Sequence, residues 1–209
     1  MKVLNLYAGI GGNRKLWTDC EVTAVEIRED IAAVYRHYFP DDTVIIGDAH
    51  QYLLDHYEEY DFIWSSPPCQ THSMARYWGS KGGMCEIKYP DMKLYQEIIF
   101  MRHYVSAKWI IENVKPFYEP FIKPNAGFGR HLFWANFRIR NIAVKEADIN
   151  RGTRNEWSEL HGFDLNGHMI KTRKDQIYRN CVHPETGLHI FNCAKGIINS
   201  SKVLQTELF

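Results

Sequence analysis

A run of strand formers, Tyr60-Asp61-Phe62-Ile63-Trp64, passes directly into Ser65-Ser66-Pro67-Pro68-Cys69-Gln70. The run predicts a short buried strand, and the two prolines end it while stiffening the backbone beyond. A cysteine just past a strand's carboxyl end stands where open α/β sheets bind their ligands. A thiol becomes a nucleophile when it is ionised and reachable, and a strand-end loop allows both. A lone Pro-Cys pair is more often a packed core cysteine, so the rest of the chain decides.

The same design recurs along the sequence. Lys2 to Tyr7 reads as a first buried strand, running into Ala8-Gly9-Ile10-Gly11-Gly12 and then a short helix to about Cys20. Strand, glycine-rich turn and helix open many nucleotide-cofactor folds, because glycine lets the backbone approach a ligand and a helix start offers free amides. Glu21 to Glu26 is a second strand ending in a carboxylate, suitably spaced from the glycine turn to accept ribose hydroxyls. Residues 28–38 carry apolar side chains at Ile31, Val34, Tyr35 and Tyr38, the spacing of a one-sided helix. Thr43 to Ile46 is a third strand, followed by Gly47-Asp48-Ala49 and a helix at about 49–58 that Asp48 would cap.

Beyond Cys69, Thr71 to Tyr89 reads as a long loop, the kind that is often functional. Pro90 to about Ser106 is a helix whose core face is expected from Met92, Tyr95, Ile98, Ile99, Met101 and Tyr104. Lys108-Trp109-Ile110-Ile111-Glu112-Asn113-Val114 is another apolar strand ending in polar groups. A last helix is expected at about 185–198. Strands alternating with helices imply an α/β fold with a mostly parallel sheet and helices on both faces.

Bulk properties narrow the class. A chain of 209 residues fits one α/β domain with a real core. Five cysteines without regular spacing suggest reduced thiols, and with no signal pattern or long apolar span a cytoplasmic location and no membrane contact are expected. Charges balance, 25 basic against 25 acidic, which does not advertise a polyanionic partner. Basic residues do gather later, at Arg138, Arg140, Lys145, Arg151, Arg154, Lys171, Arg173, Lys174 and Arg179, a face that suits phosphates or simply a solvated surface. Cys181, His183, His189 and Cys193 have spacing open to zinc, but the segment is accounted for otherwise and no metal is expected.

Pro-Pro-Cys-Gln after an apolar strand resembles the catalytic motif of the DNA (cytosine-5)-methyltransferases, and further motifs of that family follow in order. Tyr7-Ala8-Gly9-Ile10-Gly11-Gly12 is similar to its S-adenosylmethionine loop, and Glu112-Asn113-Val114 to its second catalytic motif. Phe128-Gly129-Arg130-His131-Leu132-Phe133-Trp134 resembles the arginine-bearing strand in compressed form. Leu160-His161-Gly162-Phe163 and Asn180-Cys181-Val182-His183-Pro184 resemble the late motifs, the second of which closes the cofactor pocket. Departures are Asn5 in place of an acidic residue, Asn13 in place of Phe, Lys15 at an apolar position and Arg179 in place of glycine. The first three leave open a cofactor carrying a different transferable group.

The resemblance implies a Rossmann-like class I methyltransferase that moves a methyl group from S-adenosylmethionine to C5 of cytosine in double-stranded DNA, with base flipping and a covalent Cys69–C6 adduct. Catalytic positions carried over are Cys69 with its neighbours Pro68 and Gln70, Glu112 beside it, and Arg130, for which Arg138 and Arg140 compete. Cofactor positions carried over are Tyr7, Ala8, Gly9, Gly11 and Gly12, then Glu26 and Ile27, Asp48 and Ala49, Pro67, and finally Asn180 and Val182. Ser73, Arg76 and Lys81 would approach the nucleic acid. The implied division is 1–140 for cofactor binding and catalysis, 141–170 for a reduced target-recognition insert, and 171–209 for a segment returning to the catalytic domain. So small an insert suggests relaxed specificity, a specificity partner or a homodimer. The same chemistry on a tRNA-like RNA is the nearest alternative, and a non-catalytic nucleic-acid-binding subunit the alternative of another class.

Overall fold

The computed structural model describes residues 1–142 and 152–197. Five parallel strands form its centre: β1 (Lys2–Leu6), β2 (Glu21–Glu26), β3 (Thr43–Ile46), β4 (Phe62–Ser65) and β5 (Lys108–Val114). Two antiparallel strands, β6 (Ala126–Phe128) and β7 (His131–Ala135), complete the order β3-β2-β1-β4-β5-β7-β6. The order reverses between β1 and β4. At such a switch point the loops leaving neighbouring strands part to leave a crevice, and here those loops carry Gly9 and Cys69.

Among the described residues, seven α-helices pack around the sheet: α1 (Glu29–Tyr38), α2 (Ala49–His56), α3 (Met74–Lys81), α4 (Lys93–Tyr104), α5 (Arg154–His161), α6 (Lys174–Asn180) and α7 (Pro184–Ala194). Strand alternation sorts the core into two faces. Leu4, Leu6, Ile63 and Ile111 meet Leu53 of α2 and Leu94, Ile98 and Met101 of α4. Val3, Phe62, Trp64, Ile110 and Phe133 meet Trp17 together with Ile190 and Phe191 of α7. Ala24, Val34 and Tyr35 pack with Trp157, Phe163 and Tyr178, so the chain around α5 and α6 is bound into the same body.

Several expectations are corrected. No helix follows the glycine turn; residues 11–16 form successive turns. Their polar side chains are engaged elsewhere: Asn13 donates to Asn5 Oδ1 (2.8 Å), while Arg14 binds the Asp42 carboxylate and the Trp17 carbonyl. Side-chain bonds of this kind compete with helical ones. The segment after Cys69 is not all loop, since α3 lies within it, capped by Ser73 Oγ accepting from the Arg76 amide. Met92, just before α4, and Ile99 and Tyr104 on it are exposed, while Glu97 is fully buried. The last helix runs Pro184–Ala194 rather than to 198, a position outside the described residues, as are Lys145 and Arg151.

Candidate active site

The two strand-end loops face a cleft of about 410 Å³, a size ordinary for small-molecule sites. Of the residues singled out in the sequence, Tyr7, Ala8, Gly9, Gly12, Glu26, Pro67, Pro68, Cys69, Gln70, Glu112, Arg130, Asn180 and Val182 border it. Gly11, Ile27, Asp48 and Ala49 do not. Gly11 turns inward, where an added Cβ would lie 2.4 Å from the Phe39 ring. Ile27 is 67% exposed to solvent. Asp48 acts as the helix cap of α2, accepting from the His50 and Gln51 amides at 2.8 and 3.2 Å.

Backbone conformation shapes the first loop. Tyr7 and Gly9 both lie in the left-handed region, with φ of 54° and 56°. For Tyr7 this costs roughly 1–2 kcal/mol and needs an external hold. The hold is Glu97 of α4, which accepts from Tyr7 Oη (2.5 Å) and Ser65 Oγ (2.7 Å) and meets His50 Nδ1 (3.1 Å). Burial, then the Glu97 charge, push the Tyr7 hydroxyl pKa far up, so it stays a donor. At Gly9 nothing lies within 4 Å of the position a Cβ would take, so the backbone itself forms that wall of the cleft.

Glu26 closes the same end. Its Oε2 accepts from the Gly9 amide and its Oε1 from the Arg28 amide, both at 3.0 Å, leaving each oxygen lone-pair capacity for a hydroxyl. Residues near Asn180 form the far wall and pack tightly on the glycine loop. A Cβ on Gly12 would lie 2.6 Å from the Val182 carbonyl oxygen, and one on Gly187 would lie 2.1 Å from that of Asn13.

The end of the cleft beside the proline loop combines Cys69, Glu112, Arg130 and His131. Asn113 Nδ2 donates to the Pro67 carbonyl (2.9 Å), tying the end of β5 to the proline loop. Burial pushes the half-buried Cys69 thiol up to about 11, with the Glu112 charge adding to the rise and Arg130 opposing it. Burial also works to raise the Glu112 pKa. His131, then a hydrogen bond from Ser66 and the charge of Arg130, outweigh it and hold that carboxyl below its ordinary range. Arg130 donates through Nη2 to the Arg179 carbonyl, which anchors β7 to the end of α6.

The unusual residues have local explanations. The two amides Asn5 and Asn13 pair with each other in the core, and only Asn13 reaches the cleft wall. Lys15 lies over the rings of Tyr38 and Phe163, its Nζ 4.5 and 4.3 Å from their centroids. Arg179 lies over Trp157 at 4.8 Å. Arg173 pairs with Asp175 (2.9 Å), so part of the basic cluster is neutralised locally. His131 and Glu97 were given no role from the sequence. For His131 the sequence offers only its place beside Arg130, since its pairing with the strand of Glu112 is seen in the structure; for Glu97 the signal is a carboxylate amid an apolar helix pattern.

Residues 1–121 match the C-5 cytosine-specific DNA methylase family, well over half of the chain. The chain belongs to that family. Among curated relatives, the Spodoptera frugiperda tRNA (cytosine(38)-C(5))-methyltransferase is 34% identical over 76 residues, covering 33% of this chain and 23% of that protein. The Rattus norvegicus protein of the same name is 26% identical over 124 residues, covering 56% of this chain and 31% of that one. The matched segments are thus less than a third of either relative. Among solved structures, a Spodoptera frugiperda DNMT2 mutant has a TM-score of 0.41 at 27% identity, covering 57% of this chain and 37% of that one. A putative DNA modification methyltransferase of an Escherichia coli prophage has a TM-score of 0.40 at 20% identity, covering 57% and 34%.

S-adenosylmethionine is the methyl donor of such a family, and the cleft fits it. The wall at Gly9 has no side chain to fill it, Glu26 retains acceptor capacity beside it, and Tyr7 adds an aromatic surface. Among the described residues no helix is long and apolar enough to cross a membrane.

Proposed function

We propose that the protein methylates C5 of cytosine in DNA, by way of a transient bond between Cys69 Sγ and C6 of a base flipped from its stack. One observation carries the reading: a thiol and a carboxylate from the ends of adjacent parallel strands border the same cleft as the glycine loop. C5 of cytosine is a poor nucleophile until C6 carries a substituent. Addition of the Cys69 thiolate supplies one and makes C5 enamine-like. Glu112 accepts from the exocyclic amine and favours protonation at N3 as electron density moves into the ring, and Arg130 holds the base and favours the thiolate. S-adenosylmethionine, when bound, supplies the electrophilic methyl group. Removal of the C5 proton then lets Cys69 leave and restores the ring.

A stacked base cannot reach Cys69, so the target must be extruded at a cost of roughly a few kcal/mol. Arg76, Lys81 and the basic residues after Arg130 would offset this through phosphate contacts. A partner chain or a second copy supplying sequence recognition belongs to the same proposal, because so little chain separates Arg130 from Gly162.

Structured RNA is the second reading, favoured by the names of the curated relatives. Incubation with labelled S-adenosylmethionine and either duplex DNA or tRNA, followed by mass analysis of the product base, separates the two. Label in 5-methylcytosine of DNA is the expected result, and label in tRNA alone selects the second reading. Cys69→Ser is expected to abolish turnover while leaving cofactor binding near the wild-type value in calorimetry. Undiminished turnover in that variant refutes the thiolate route.

A further inference from the structure

Glu112 does not stand alone at the end of β5. Across the antiparallel ladder it faces Phe133, while His131 faces Val114. Residues two apart share a strand face, so Glu112 and His131 are diagonal neighbours on one side of the sheet. Their side chains join through Oε1 and Nδ1; both are nearly buried and both border the cleft. The His131 ring lies near-parallel to Phe133, with centroids 6.4 Å apart and planes inclined by 22°, which fixes the edge it turns to Glu112. Arg130 on the preceding residue, Cys69 and Ser66 from the loop after β4, and the buried His161 of α5 are the polar groups around the pair.

That setting raises a question of proton supply. N3 of the base must gain a proton as Sγ adds to C6, yet Glu112 is surrounded by groups that keep it a carboxylate. We propose that His131 is the proton source behind Glu112, the two forming a relay that ends at N3 of the substrate. The inference rests on the cytosine-methylating reading above and adds to it a residue that acts through Glu112.

The step balances. The Sγ lone pair forms the S–C6 bond, the C5=C6 pair moves to C4=C5, and the former C4=N3 pair takes a proton at N3. That proton originates on Nδ1 of the His131 imidazolium and passes through Glu112, whose carboxylate takes it up and delivers it to N3 in the same step. Glu112 ends as the carboxylate it was, and His131 ends neutral. When Sγ leaves, N3 gives its proton back along the same path.

Two results from one set of proteins test this. His131→Asn keeps an N–H near the Nδ1 position and removes the ionisable ring. In single-turnover methylation its rate is expected to fall roughly 100-fold, the scale of one acid–base group. Because the Cys69 thiolate fraction grows with pH up to about 11, the variant's rate is expected to keep climbing with pH, whereas the wild-type rate levels off where the ring no longer supplies a proton, with calorimetric cofactor affinity retained. A wild-type rate, or a slower rate with the wild-type pH profile intact, overturns the relay. NMR of the His131 ring in the unmutated enzyme tests it without reliance on the variant's folding: an imidazolium that loses its proton over the pH range where turnover stops rising is expected, and a ring neutral throughout overturns it. Cys69→Ser and Glu112→Gln are run alongside. Full turnover in those two refutes the underlying methylation route, whereas their loss with an unaffected His131→Asn refutes the relay alone.

Discussion

The loops after β1 and β4 leave neighbouring parallel strands and border one cleft, yet they are built by opposite means. The first is made of permissive backbone: Tyr7, Gly9 and Gly11 all have positive φ, and nothing in their own sequence holds them there. Its shape comes from elsewhere, from Glu97 on α4 and from Gly187 pressed against the Asn13 backbone. The second is made of restricted backbone, Pro67 and Pro68, and needs from outside little more than the Asn113 bond to Pro67. A cofactor site that must wrap a ligand is finished by distant chain. A loop that would aim the proposed nucleophile is finished locally.

Substitution at Gly187 should break this comparison hardest. Gly187→Ala drives a Cβ to 2.1 Å from the Asn13 carbonyl oxygen, a clash with backbone that no rotamer relieves. We expect a loss of about 3 kcal/mol in denaturant unfolding, with the glycine loop and S-adenosylmethionine affinity lost before the proline loop is disturbed. Equal disruption of both loops, read by hydrogen exchange, would erase the distinction.

Cys69 gives the next largest effect. With its thiol pushed from 9.0 to about 11, the thiolate fraction at neutral pH falls roughly 100-fold below that of an ordinary cysteine. Alkylation by iodoacetamide, followed peptide by peptide in mass spectrometry, should therefore be slow at Cys69 and accelerate with pH up to about 11. A midpoint at the ordinary value would mean that the second loop is more open than described.

Gly9→Ala is the mildest. Its Cβ meets nothing, so only the left-handed φ of 56° is penalised, at about 1 kcal/mol. Because the new methyl enters the cleft, cofactor affinity should suffer more than thermal stability, as calorimetry and melting curves would show.

The sequence was most legible where short-range chemistry decides. The apolar strands ending in Glu26, in Ser65 and at Asn113 were recognisable one by one, and their alternation with helices implied a mostly parallel sheet, though not its strand order. Illegible parts depend on partners far along the chain. Asn13 and Arg14 abandon the expected helix for Asn5 and Asp42. Glu97 is buried because Tyr7, Ser65 and His50 converge on it from other elements, and α4 is rotated from its apparent apolar stripe accordingly. The helix α3 was hidden among glycines and serines, although Ser73 in the capping position was a usable clue. His131 could be linked to Glu112 only once the antiparallel register was in hand.

The packing of Gly187 on Asn13, with the Trp17 indole donating to the Gly187 carbonyl at 3.1 Å, joins residues 170 positions apart. During synthesis the turn at Asn13 must therefore wait for α7 before it acquires its final form. Loop closure over so long a span is slow, so the Asn113 tie of the thiol loop can form while the glycine turn still lacks the wall that α7 supplies.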